Sequence, residues 1–332
     1  MQEVLRHRMQ TLMGAPPISI PGVRFEHLIG TGGMSEVWLC FHGGLNKEVA
    51  IKVMFKDAAA SGEDVRQFML ESRVMEQISH PGIVHSYEAD CRDGRYYFVM
   101  DYVDGYTLAL FLARKERLPE PDALLVLDSV ADALGYAWRE HHVIHCDIKP
   151  DNLMVNGDGI VKIMDMGLCH VMGGGDRAGL RKKPDASPKD TIVGTPAYMS
   201  PEQIYGDSDL DCRSDIYNMG ATLYQLVTGQ VLFPGISNDD TLRAHVSQEE
   251  SAPDPRTMDK SISPGLVRLL SKMCAKDRSA RYGSWEDVLA DSRIVQSGGL
   301  PTPLPQGCAS SVAEMPVPDT SGKTRQMPDI PV

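Results

Sequence analysis

The sequence predicts an α+β protein with two lobes, a small lobe rich in β-strands followed by a larger and mainly helical lobe. Two observations carry this prediction. Residues 23–56 alternate in strand fashion, in short runs separated by glycine-rich turns. After Gly105 the apolar residues recur instead at helical spacing over longer runs. No internal repeat is evident.

The small lobe is predicted to begin with three strands, VRFEHLI, EVWLCF and EVAIKVMF. A helix over 62–78 follows, because Val65, Phe68 and Met69 lie at the spacing of one helical face. Two further apolar runs, IVHSYEA and YYFVMDYV, complete this lobe as strands.

The large lobe is predicted to contain helices over 122–140, 214–228 and 264–275. The first is the longest, and its apolar residues share one face. Those residues are Leu124, Leu125, Leu127, Val130, Leu134 and Trp138.

Composition excludes several classes of protein. The 332 residues carry 33 basic and 45 acidic side chains, a net charge of −12, which argues against a nucleic-acid partner. Hydrophobic residues make up 42%, so global disorder is excluded. No run approaches the ~18 apolar residues of a membrane span, and no secretory signal is visible. Seven dispersed cysteines without a CxxC pair indicate a reducing compartment. We therefore expect a cytoplasmic protein.

The two ends of the chain differ from its middle. Residues 1–22 are expected to form an N-terminal extension, with a short helical stretch that breaks at Pro16. From Ser297 onward the chain holds seven of its 22 prolines, mixed with Gly, Ser and Thr. We therefore expect residues 294–332 to be a disordered tail, either a docking or phosphorylated segment or a plain linker.

A glycine-rich loop lies between the first two predicted strands. It consists of Gly30, Thr31, Gly32, Gly33, Met34 and Ser35. Glycines let backbone N–H groups approach phosphate oxygens. A dinucleotide-binding loop would open a helix, whereas a strand follows here. Alone, the loop is equally consistent with a hairpin turn.

Further motifs follow in a set order. Lys52 lies on the third strand, where it can bridge two phosphates, and Glu71 of the first helix can pair with it. The run HCDIKPDN contains Asp147 and Asn152, and Asp165 follows thirteen residues after Asn152. A carboxylate and an amide at this spacing suit Mg²⁺. Each residue also has an ordinary structural interpretation, but chance seldom produces the whole set in this order.

Together these motifs resemble those of a eukaryotic-like (Hanks-type) serine/threonine protein kinase of the bacterial subgroup. The matching motifs are IGTGGMSEV, AIK, MLESRVM, HCDIKPDN, DMG, GTPAYMSPEQ, SDIYNMG and KDRSARY. The resemblance implies the bilobal protein kinase fold over residues 23–293, with an N-lobe over 23–100, a hinge over 101–106 and a C-lobe over 107–293. It also implies transfer of the γ-phosphoryl group of ATP to Ser or Thr hydroxyls of proteins.

The resemblance implies a role for each matching residue. Asp147 would accept the proton of the substrate hydroxyl, and Lys149 would stabilise the transferring phosphoryl group. Lys52, paired with Glu71, would hold the α- and β-phosphates. The implied ATP-binding set is Ile29, Gly30, Thr31, Gly32, Gly33, Met34, Ser35, Val37, Ala50, Lys52, Met100, Asp101, Val103 and Leu153.

Metal-binding and structural roles come from the same resemblance. Asn152 and Asp165 would bind Mg²⁺, with Mn²⁺ as the alternative. Glu202 would pair with Arg281 inside the larger lobe, and Asp215 would stabilise the catalytic loop.

The activation segment sets the expected substrate class and regulation. The lysine of DIKPDN, together with Thr195, resembles the arrangement in serine/threonine kinases. From Asp165 to Glu202 the segment is 38 residues long and includes an insert with five basic against three acidic side chains. We expect this insert to be a mobile loop. It would recognise acidic substrates or regulate activity through Ser187 or Thr191, or serve only as a solvated loop.

Four positions depart from the family pattern. Cys146 stands where arginine is usual, and His170 where Arg or Lys is frequent; neither supplies the charge of a guanidinium. We therefore expect activity that does not depend strongly on phosphorylation at Thr191. Cys146 itself is interpreted as a small buried residue, with a redox-sensitive thiol as the alternative. Met166 replaces the usual Phe and Ser35 the third glycine, and both changes should be tolerated.

Three functions remain open from sequence: an active protein kinase, a pseudokinase scaffold, and a phosphotransferase acting on a small molecule. Pseudokinases usually lack one of Lys52, Asp147 and Asp165, all present here. Small-molecule relatives usually lack the GTPAYMSPE run, which is intact. The protein kinase is therefore favoured, with protein substrates as partners and self-association for autophosphorylation.

Overall fold

The computed structural model describes residues 16–166, 170–171 and 194–315. Its strands are β1 (Val23–Thr31), β2 (Ser35–His42), β3 (Lys47–Met54), β4 (Ser86–Arg92), β5 (Arg95–Asp101), β6 (Gly105–Thr107), β7 (Val143–Ile144), β8 (Leu153–Asn156), β9 (Val161–Ile163) and β10 (His170–Val171). Its helices are α1 (Gly62–Gln77), α2 (Leu108–Lys115), α3 (Glu120–His141), α4 (Pro201–Tyr205), α5 (Cys212–Thr228), α6 (Asn238–Val246), α7 (Pro264–Met273) and α8 (Trp285–Gln296). This order of elements confirms the predicted α+β class.

The small lobe is an antiparallel sheet with the strand order β1-β2-β3-β5-β4. Because side chains alternate between the faces of a strand, Ile51 and Val53 of β3 lie on the same face as Trp38 of β2. Ile18 and Ile20, which precede β1, pack against this apolar face. The end of the predicted N-terminal extension is therefore part of the lobe's core, whereas residues 1–15 lie outside the described residues.

Helix α1 packs against the opposite face of the sheet. Ser61 caps its N-terminus by accepting a backbone hydrogen bond from the first turn. Phe68 of α1 contacts Phe98 of β5, with ring centroids 5.0 Å apart. Glu71, three residues after Phe68, lies on the same side of the helix and faces the sheet. The helix predicted over 62–78 is confirmed and ends one residue earlier.

The large lobe is built around two long helices, α3 and α5. Helix α5 is buried along nearly its whole length and ends at Gly229, whose φ of 77° is left-handed. A Cβ at Gly229 would lie 2.6 Å from the carbonyl oxygen of Glu116, so both the backbone and the space require glycine. The three predicted helices are confirmed as α3, α5 and α7, with ends shifted by at most two residues. No helix among the described residues is long and apolar enough to cross a membrane.

Two small sheets hold the segments where the lobes meet. Strands β6, β8 and β9 form one, and β7 pairs with β10 in the other. The backbone N–H of Val84 donates to the carbonyl of Ile163 at 3.0 Å, and that of Ile163 donates to the carbonyl of Gly82 at 2.8 Å. These bonds attach the end of the small lobe to β9 and align the loops on either side of the cleft.

The structure differs from the predicted disordered tail over residues 294–315. Helix α8 continues to Gln296, and the segment after it, residues 297–315, packs on the large lobe as a C-terminal strap. Val312 and Ser311 are buried, and the backbone N–H of Ala252 donates to the carbonyl of Ser311 at 2.8 Å. A proline-rich segment cannot form a core of its own, but this one packs against the core of the lobe beneath it. Residues 316–332 lie outside the described residues.

Candidate active site

A buried ion pair joins two of the predicted site residues across the small lobe. Lys52 lies in β3, and its Nζ lies 2.7 and 2.8 Å from the two carboxylate oxygens of Glu71 on α1. Asp165 approaches the same ammonium, with its Oδ1 3.6 Å away. Burial disfavours the ammonium, but Glu71 and Asp165 raise the pKa of Lys52 above its ordinary value. Burial raises the pKa of Glu71 to about 7, and the Lys52 ammonium opposes this rise.

Asp147 lies in the loop between β7 and β8 and is largely buried. Lys149 donates from Nζ to Asp147 Oδ2 at 2.6 Å, and the Thr195 hydroxyl donates to Oδ1 at 2.8 Å. Lys149 also donates to Thr195 Oγ1 at 2.7 Å, so the three side chains contact one another. The two oxygens of the carboxylate are therefore held by different groups, which fixes its orientation. The fold brings together residues that lie 48 positions apart.

The first turn of α5 holds the backbone of this loop. Asp215 accepts hydrogen bonds from the backbone N–H groups of His145 and Cys146, at 2.7 and 2.8 Å. Burial raises the pKa of the Asp215 carboxyl, although His145 and these N–H groups oppose the rise. Cys146 has a φ of 66° and Asp165 a φ of 60°, conformations that residues other than glycine adopt only when their surroundings enforce them. The His145 ring donates from Nε2 to the carbonyl of Met164 at 3.0 Å and so ties the loop to the segment that carries Asp165.

Asn152 and Asp165 lie side by side on neighbouring segments. The Asn152 amide donates from Nδ2 to the carbonyl of Asp147 at 2.8 Å and to its Oδ2 at 3.3 Å. The backbone N–H of Met164 donates to the carbonyl of Asn152 at 2.9 Å, which places Asp165 next to it. The amide of Asn152 and the carboxylate of Asp165 both carry oxygen atoms that can serve as metal ligands. Such hard oxygen donors fit a divalent ion that completes its shell with phosphate and water.

The glycine-rich loop joins β1 to β2 in a tight turn. The N–H of Gly32 donates to the carbonyl of Ser35 at 2.7 Å, and that of Phe55 donates to the carbonyl of Met34 at 2.8 Å. A Cβ added at Gly32 would meet its nearest atom at 3.7 Å, and one at Gly33 would meet nothing within 4 Å. The fold itself does not require glycine at these two positions. Their missing side chains instead allow a ligand to approach the backbone of the loop closely.

The other predicted nucleotide-binding residues lie on the strands of the small lobe, just after β5 and at the start of β8. In the sheet register Val37 lies opposite Lys52, and Ala50 lies opposite Met100. Leu153 begins β8 on the side of the large lobe and is fully buried. The rest are Ile29, Gly30 and Thr31 of β1, Asp101 of β5 and Val103 just after it.

A family model described as the protein kinase domain matches residues 23–292 of this chain. The chain belongs to the protein kinase family. The matched stretch begins at the first residue of β1 and ends inside α8, so it contains the whole site described above. Proteins of this family use ATP and a divalent metal ion.

Bacterial kinases are similar to this chain over most of its length. Probable serine/threonine-protein kinase PknB of Bifidobacterium longum (strain NCC 2705) is 32% identical over 335 residues, which covers 94% of this chain and 46% of that protein. Serine/threonine-protein kinase PknB of Mycobacterium leprae (strain TN) is 31% identical, with 96% and 51% covered. Serine/threonine-protein kinase PrkC of Bacillus subtilis (strain 168) is 31% identical, with 80% and 39% covered. The chain thus spans about half or less of the length of these relatives.

Within the kinase domain, Glu202 and Arg281 form a buried ion pair. Arg281 donates to the two carboxylate oxygens of Glu202 at 2.6 and 2.9 Å, and the Ser214 hydroxyl donates to the same carboxylate at 2.6 Å. Burial acts against the charged carboxylate, but these donors hold the pKa of Glu202 below its ordinary value. The pair connects α4 to the segment between α7 and α8, and it joins the two residues that the sequence analysis expected to pair.

Two residues of the kinase domain that were not predicted from the sequence form hydrogen bonds with the loops beside Asp147. Asn218 donates from Nδ2 to the carbonyl of Tyr198 at 2.7 Å, and the Thr222 hydroxyl donates to the carbonyl of Ile148 at 2.9 Å. Both lie on the same face of α5 as Asp215, at spacings of three and seven residues. A polar row on an otherwise apolar helix was the available signal.

Cys146 has the surroundings of a small core residue. Its side chain packs with Ile144 and Leu210, and its carbonyl accepts a hydrogen bond of 2.7 Å from the Gln203 amide. This burial agrees with the interpretation as a buried residue and gives solvent oxidants little access. A thiol among apolar side chains also offers no charge to a phosphate group.

Part of the activation segment cannot be compared with its predictions. Ser187, Thr191 and nearly all of the basic insert lie outside the described residues. His170 is described only as a residue of β10, where it pairs with Ile144 of β7. The expectations for the insert therefore stay predictions.

An open cavity of about 530 Å³ lies beside the loop that carries Asp147. Pro150 and Asp151 of that loop form one wall, Tyr198 and the end of α5 another, and α2 with Glu116 the third. The described lining contains two carboxylates and no basic side chain. The cavity is large enough to admit side chains of a polypeptide, although Asp147 itself is not part of its lining.

Proposed function

We propose that this chain is an active protein kinase that transfers the γ-phosphoryl group of ATP to Ser or Thr hydroxyls of protein substrates. One observation carries the proposal: Asp147 is held on one oxygen by Lys149 and on the other by Thr195. A carboxylate fixed in this way can accept a proton from a hydroxyl and orient it for in-line attack.

The nucleotide would bind between the glycine-rich loop and the floor of the cleft. Lys52 is already paired with Glu71, so its ammonium is positioned for the α- and β-phosphates before ATP enters. The backbone of the loop at Gly32 and Gly33 would cover the phosphates. Val37, Ala50, Met100 and Leu153 belong to the implied adenine pocket, and the backbone at Asp101 and Val103 would bind the adenine edge.

Asn152 and Asp165 would hold the divalent metal ion. When bound there, such an ion would supply positive charge to offset that of the phosphates. We propose Mg²⁺, with Mn²⁺ as the alternative, because one amide and one carboxylate leave room for phosphate and water ligands.

The hydroxyl step would use Asp147, Lys149 and Thr195 together. One of the two carboxylate oxygens of Asp147 would accept the proton of the substrate hydroxyl. Lys149, 2.6 Å from this carboxylate, would stabilise negative charge on the phosphoryl group as it moves. The contact of Lys149 with Thr195 supports the assignment to Ser and Thr substrates, because it matches the pattern of that class.

The scaffold and small-molecule alternatives find less support. A pseudokinase has no need of an assembled Lys52–Glu71 pair together with a held Asp147. A small-molecule phosphotransferase has no need of the open cavity bordered by Asp151 and Tyr198. A second copy of the chain, bound as substrate for autophosphorylation, would enter at the same cavity.

The buried Cys146 supports a proposal about regulation. It provides no guanidinium to bind a phosphate on the activation segment. Phosphorylation at Thr191 is therefore not the main switch of activity. The kcat of Thr191→Ala compared with that of the unchanged protein tests this, and a large drop would contradict it.

The activity itself is tested with labelled ATP, Mg²⁺ or Mn²⁺, and a generic protein substrate. We expect transfer by the unchanged chain and a loss of about 10²-fold or more in Asp147→Asn, because the base is removed. Asp158→Asn, an exposed carboxyl on the β8–β9 turn, is the matched control and should keep full activity. No transfer by the unchanged chain with either metal would favour the scaffold.

A further inference from the structure

We propose that Tyr87 is a positioning residue for the adenine base of ATP. It acts through Asp101, the last residue of β5, whose backbone belongs to the implied adenine-binding set. Tyr87, Asp101 and Lys47 contact one another through their polar atoms, and we call these three residues the hinge cluster. This proposal rests on the proposed kinase activity, because it concerns the binding of the same nucleotide.

The hinge cluster lies on the face of the small-lobe sheet that turns away from Lys52. Lys47 is the first residue of β3, Tyr87 the second of β4 and Asp101 the last of β5. In the sheet register Lys52 lies opposite Phe98, three residues before Asp101. Because side chains alternate between the two faces of a strand, the Asp101 carboxylate lies on the other face from Lys52. The backbone of Asp101, rather than its side chain, is therefore the part that can meet the base.

A bulge in β4 explains how Tyr87 reaches Asp101. From Ser86 to Glu88 the strand β4 advances by two residues, whereas its partner β5 advances by only one. Tyr87 is the extra residue, and such a residue bends the strand locally and re-aims a side chain. The Tyr87 hydroxyl donates a hydrogen bond to Oδ1 of Asp101. The irregular register thus brings this hydroxyl to the end of β5.

The donors and acceptors of the hinge cluster have one consistent arrangement. The Lys47 ammonium can only donate, so its Nζ donates to the Tyr87 hydroxyl and to Oδ1 of Asp101, the latter at 3.2 Å. The charged carboxylate can only accept, so the single proton of the Tyr87 hydroxyl goes to Oδ1. Burial acts against the charge on Asp101, but Tyr87 and Lys47 hold the pKa of this carboxyl below its ordinary value. The charged form that the arrangement requires is therefore favoured.

Tyr87 is the member of the cluster that fixes the carboxylate. The Lys47 side chain is 43% exposed, so water screens its attraction to Asp101. The Tyr87 ring is held on two sides, by the edge of the His85 ring with centroids 5.2 Å apart and by the Lys47 ammonium 4.3 Å from the ring centre. A hydroxyl on a ring held in this way gives the carboxylate a fixed partner.

The carboxylate and the backbone of Asp101 are held together where the hinge begins. The Asp101 N–H donates to the carbonyl of His85 at 2.9 Å, and the His85 N–H donates to Oδ2 of Asp101 at 3.4 Å. Residues 102–104 have no regular secondary structure, and β6 begins only at Gly105. The orientation of the peptide after Asp101 therefore depends on how Asp101 is held. Loss of the Tyr87 hydroxyl would loosen this peptide and weaken its contact with the base.

The test measures the binding of two probes to the full chain. Adenosine carries the base without phosphates, and inorganic tripolyphosphate with Mg²⁺ carries the phosphates without the base. We expect Tyr87→Phe to weaken adenosine binding about five-fold, the effect of one hydrogen bond, and to leave tripolyphosphate binding unchanged. The Lys52–Glu71 pair lies on the other face of the sheet, so the phosphate side should not sense the change.

Tyr96→Phe is the matched control. Tyr96 is the second residue of β5, at the opposite end of the strand from Asp101. Within the part of the chain that the structure describes, its hydroxyl has no hydrogen-bond partner. The variant should bind adenosine and tripolyphosphate like the unchanged protein.

Asp101→Asn examines the same contact from its other side. It keeps the backbone but removes the charge, so it should also weaken adenosine binding. Combining it with Tyr87→Phe should cost much less than the sum of the two single effects, because both variants remove the same contact. In kinetics, Tyr87→Phe should raise KM for ATP about five-fold, with kcat and the KM for a Ser/Thr peptide unchanged.

Several results would overturn the role of Tyr87. They are unchanged adenosine binding in Tyr87→Phe, an equal loss in Tyr96→Phe, or a matching loss of tripolyphosphate binding. If the unchanged chain bound neither adenosine nor ATP, the nucleotide site itself would be wrong, and this proposal with it. Absence of phosphoryl transfer by a chain that binds ATP would overturn the kinase activity alone, and the adenosine comparison would still decide whether Tyr87 positions the base.

Discussion

The Lys52–Glu71 ion pair depends on the protonation of one buried carboxyl. Glu71 is fully enclosed, and burial raises its pKa to about 7 in spite of the ammonium beside it. Above that pH the carboxylate is charged and holds Lys52 with two short contacts. Below it the carboxyl is neutral, so the charge pairing with Glu71 is lost, and the carboxylate of Asp165 lies farther from Lys52, at 3.6 Å. The nucleotide side of the site is therefore expected to respond to pH near neutrality.

We predict that kcat/KM for ATP falls as the pH drops through about 7, because Glu71 takes up a proton and the ion pair is lost. The fall should reach at most about ten-fold per pH unit, as for a single titrating group. The measurement is a profile of kcat/KM for ATP from about pH 5.5 to 9. Glu71→Gln should be less active, and its kcat/KM for ATP should not fall as the pH drops through about 7. The same fall of kcat/KM in Glu71→Gln would assign the titration to another group.

At the residue scale, local motifs made most of the site predictable. Lys52, Asp147 and Asp165 each lie in a short run whose spacing indicates phosphate or metal chemistry. The partners of Asn218 and Ser311 were not predictable, because these side chains bond to backbone atoms or to one hydroxyl in a distant segment. A contact with a backbone carbonyl places no constraint on the side chain of its partner, so it leaves no paired signal in the sequence.

At the scale of elements, helix α5 contacts the rest of the large lobe through two different faces. One face carries Asp215, Asn218 and Thr222, which bind the backbone of the loops around Asp147. Tyr217 lies off this row and contacts α6 and the strap. A helix that is buried on all sides tolerates such polar residues only where each has a hydrogen-bond partner.

We predict that Asn218→Ala lowers the free energy of unfolding by about 1–3 kcal/mol, because the carbonyl of Tyr198 and the amide of Gln203 lose a buried donor. Urea unfolding measures this change. Asn238→Ala is the control, since Asn238 is exposed at the start of α6, and it should stay within about 0.5 kcal/mol of the unchanged protein. Equal losses in the two variants would contradict the assigned role of Asn218.

The elements differed in how far sequence could predict them. Helices α3, α5 and α7 span ten or more residues, so their apolar spacing repeats several times. Strands β6, β7 and β10 have two or three residues, too few for any period to show. Their positions depend on partners far along the chain, such as β8 for β6, and only the assembled fold supplies those partners.

At the scale of the whole molecule, the folded unit extends past the boundary that composition suggested. Prolines and small polar residues mark the segment after Gln296 as unable to form a core alone. The fold instead uses it to cover the exposed side of the large lobe. The backbone N–H of Lys276 donates to the carbonyl of Ala309 at 2.9 Å, and Val312 pairs with Ala252 in a parallel bridge. Composition predicts whether a segment can form a core alone. Whether it packs in the folded molecule also depends on the surface beside it.

We therefore predict that ending the chain after Gln296 lowers the free energy of unfolding by about 2–5 kcal/mol. The loss would combine the burial of Val312, at about 1.5–3 kcal/mol for such a side chain, with the lost hydrogen bond between Ser311 and the Tyr217 hydroxyl. Urea unfolding should show a lower midpoint with a similar slope. A chain that ends after Met315 keeps the whole strap and is the reference for this comparison. If the shorter chain does not fold, Val312→Ala replaces it, with an expected loss of about 1–3 kcal/mol. Equal stability of all these chains would mean that the strap adds nothing to the folded lobe.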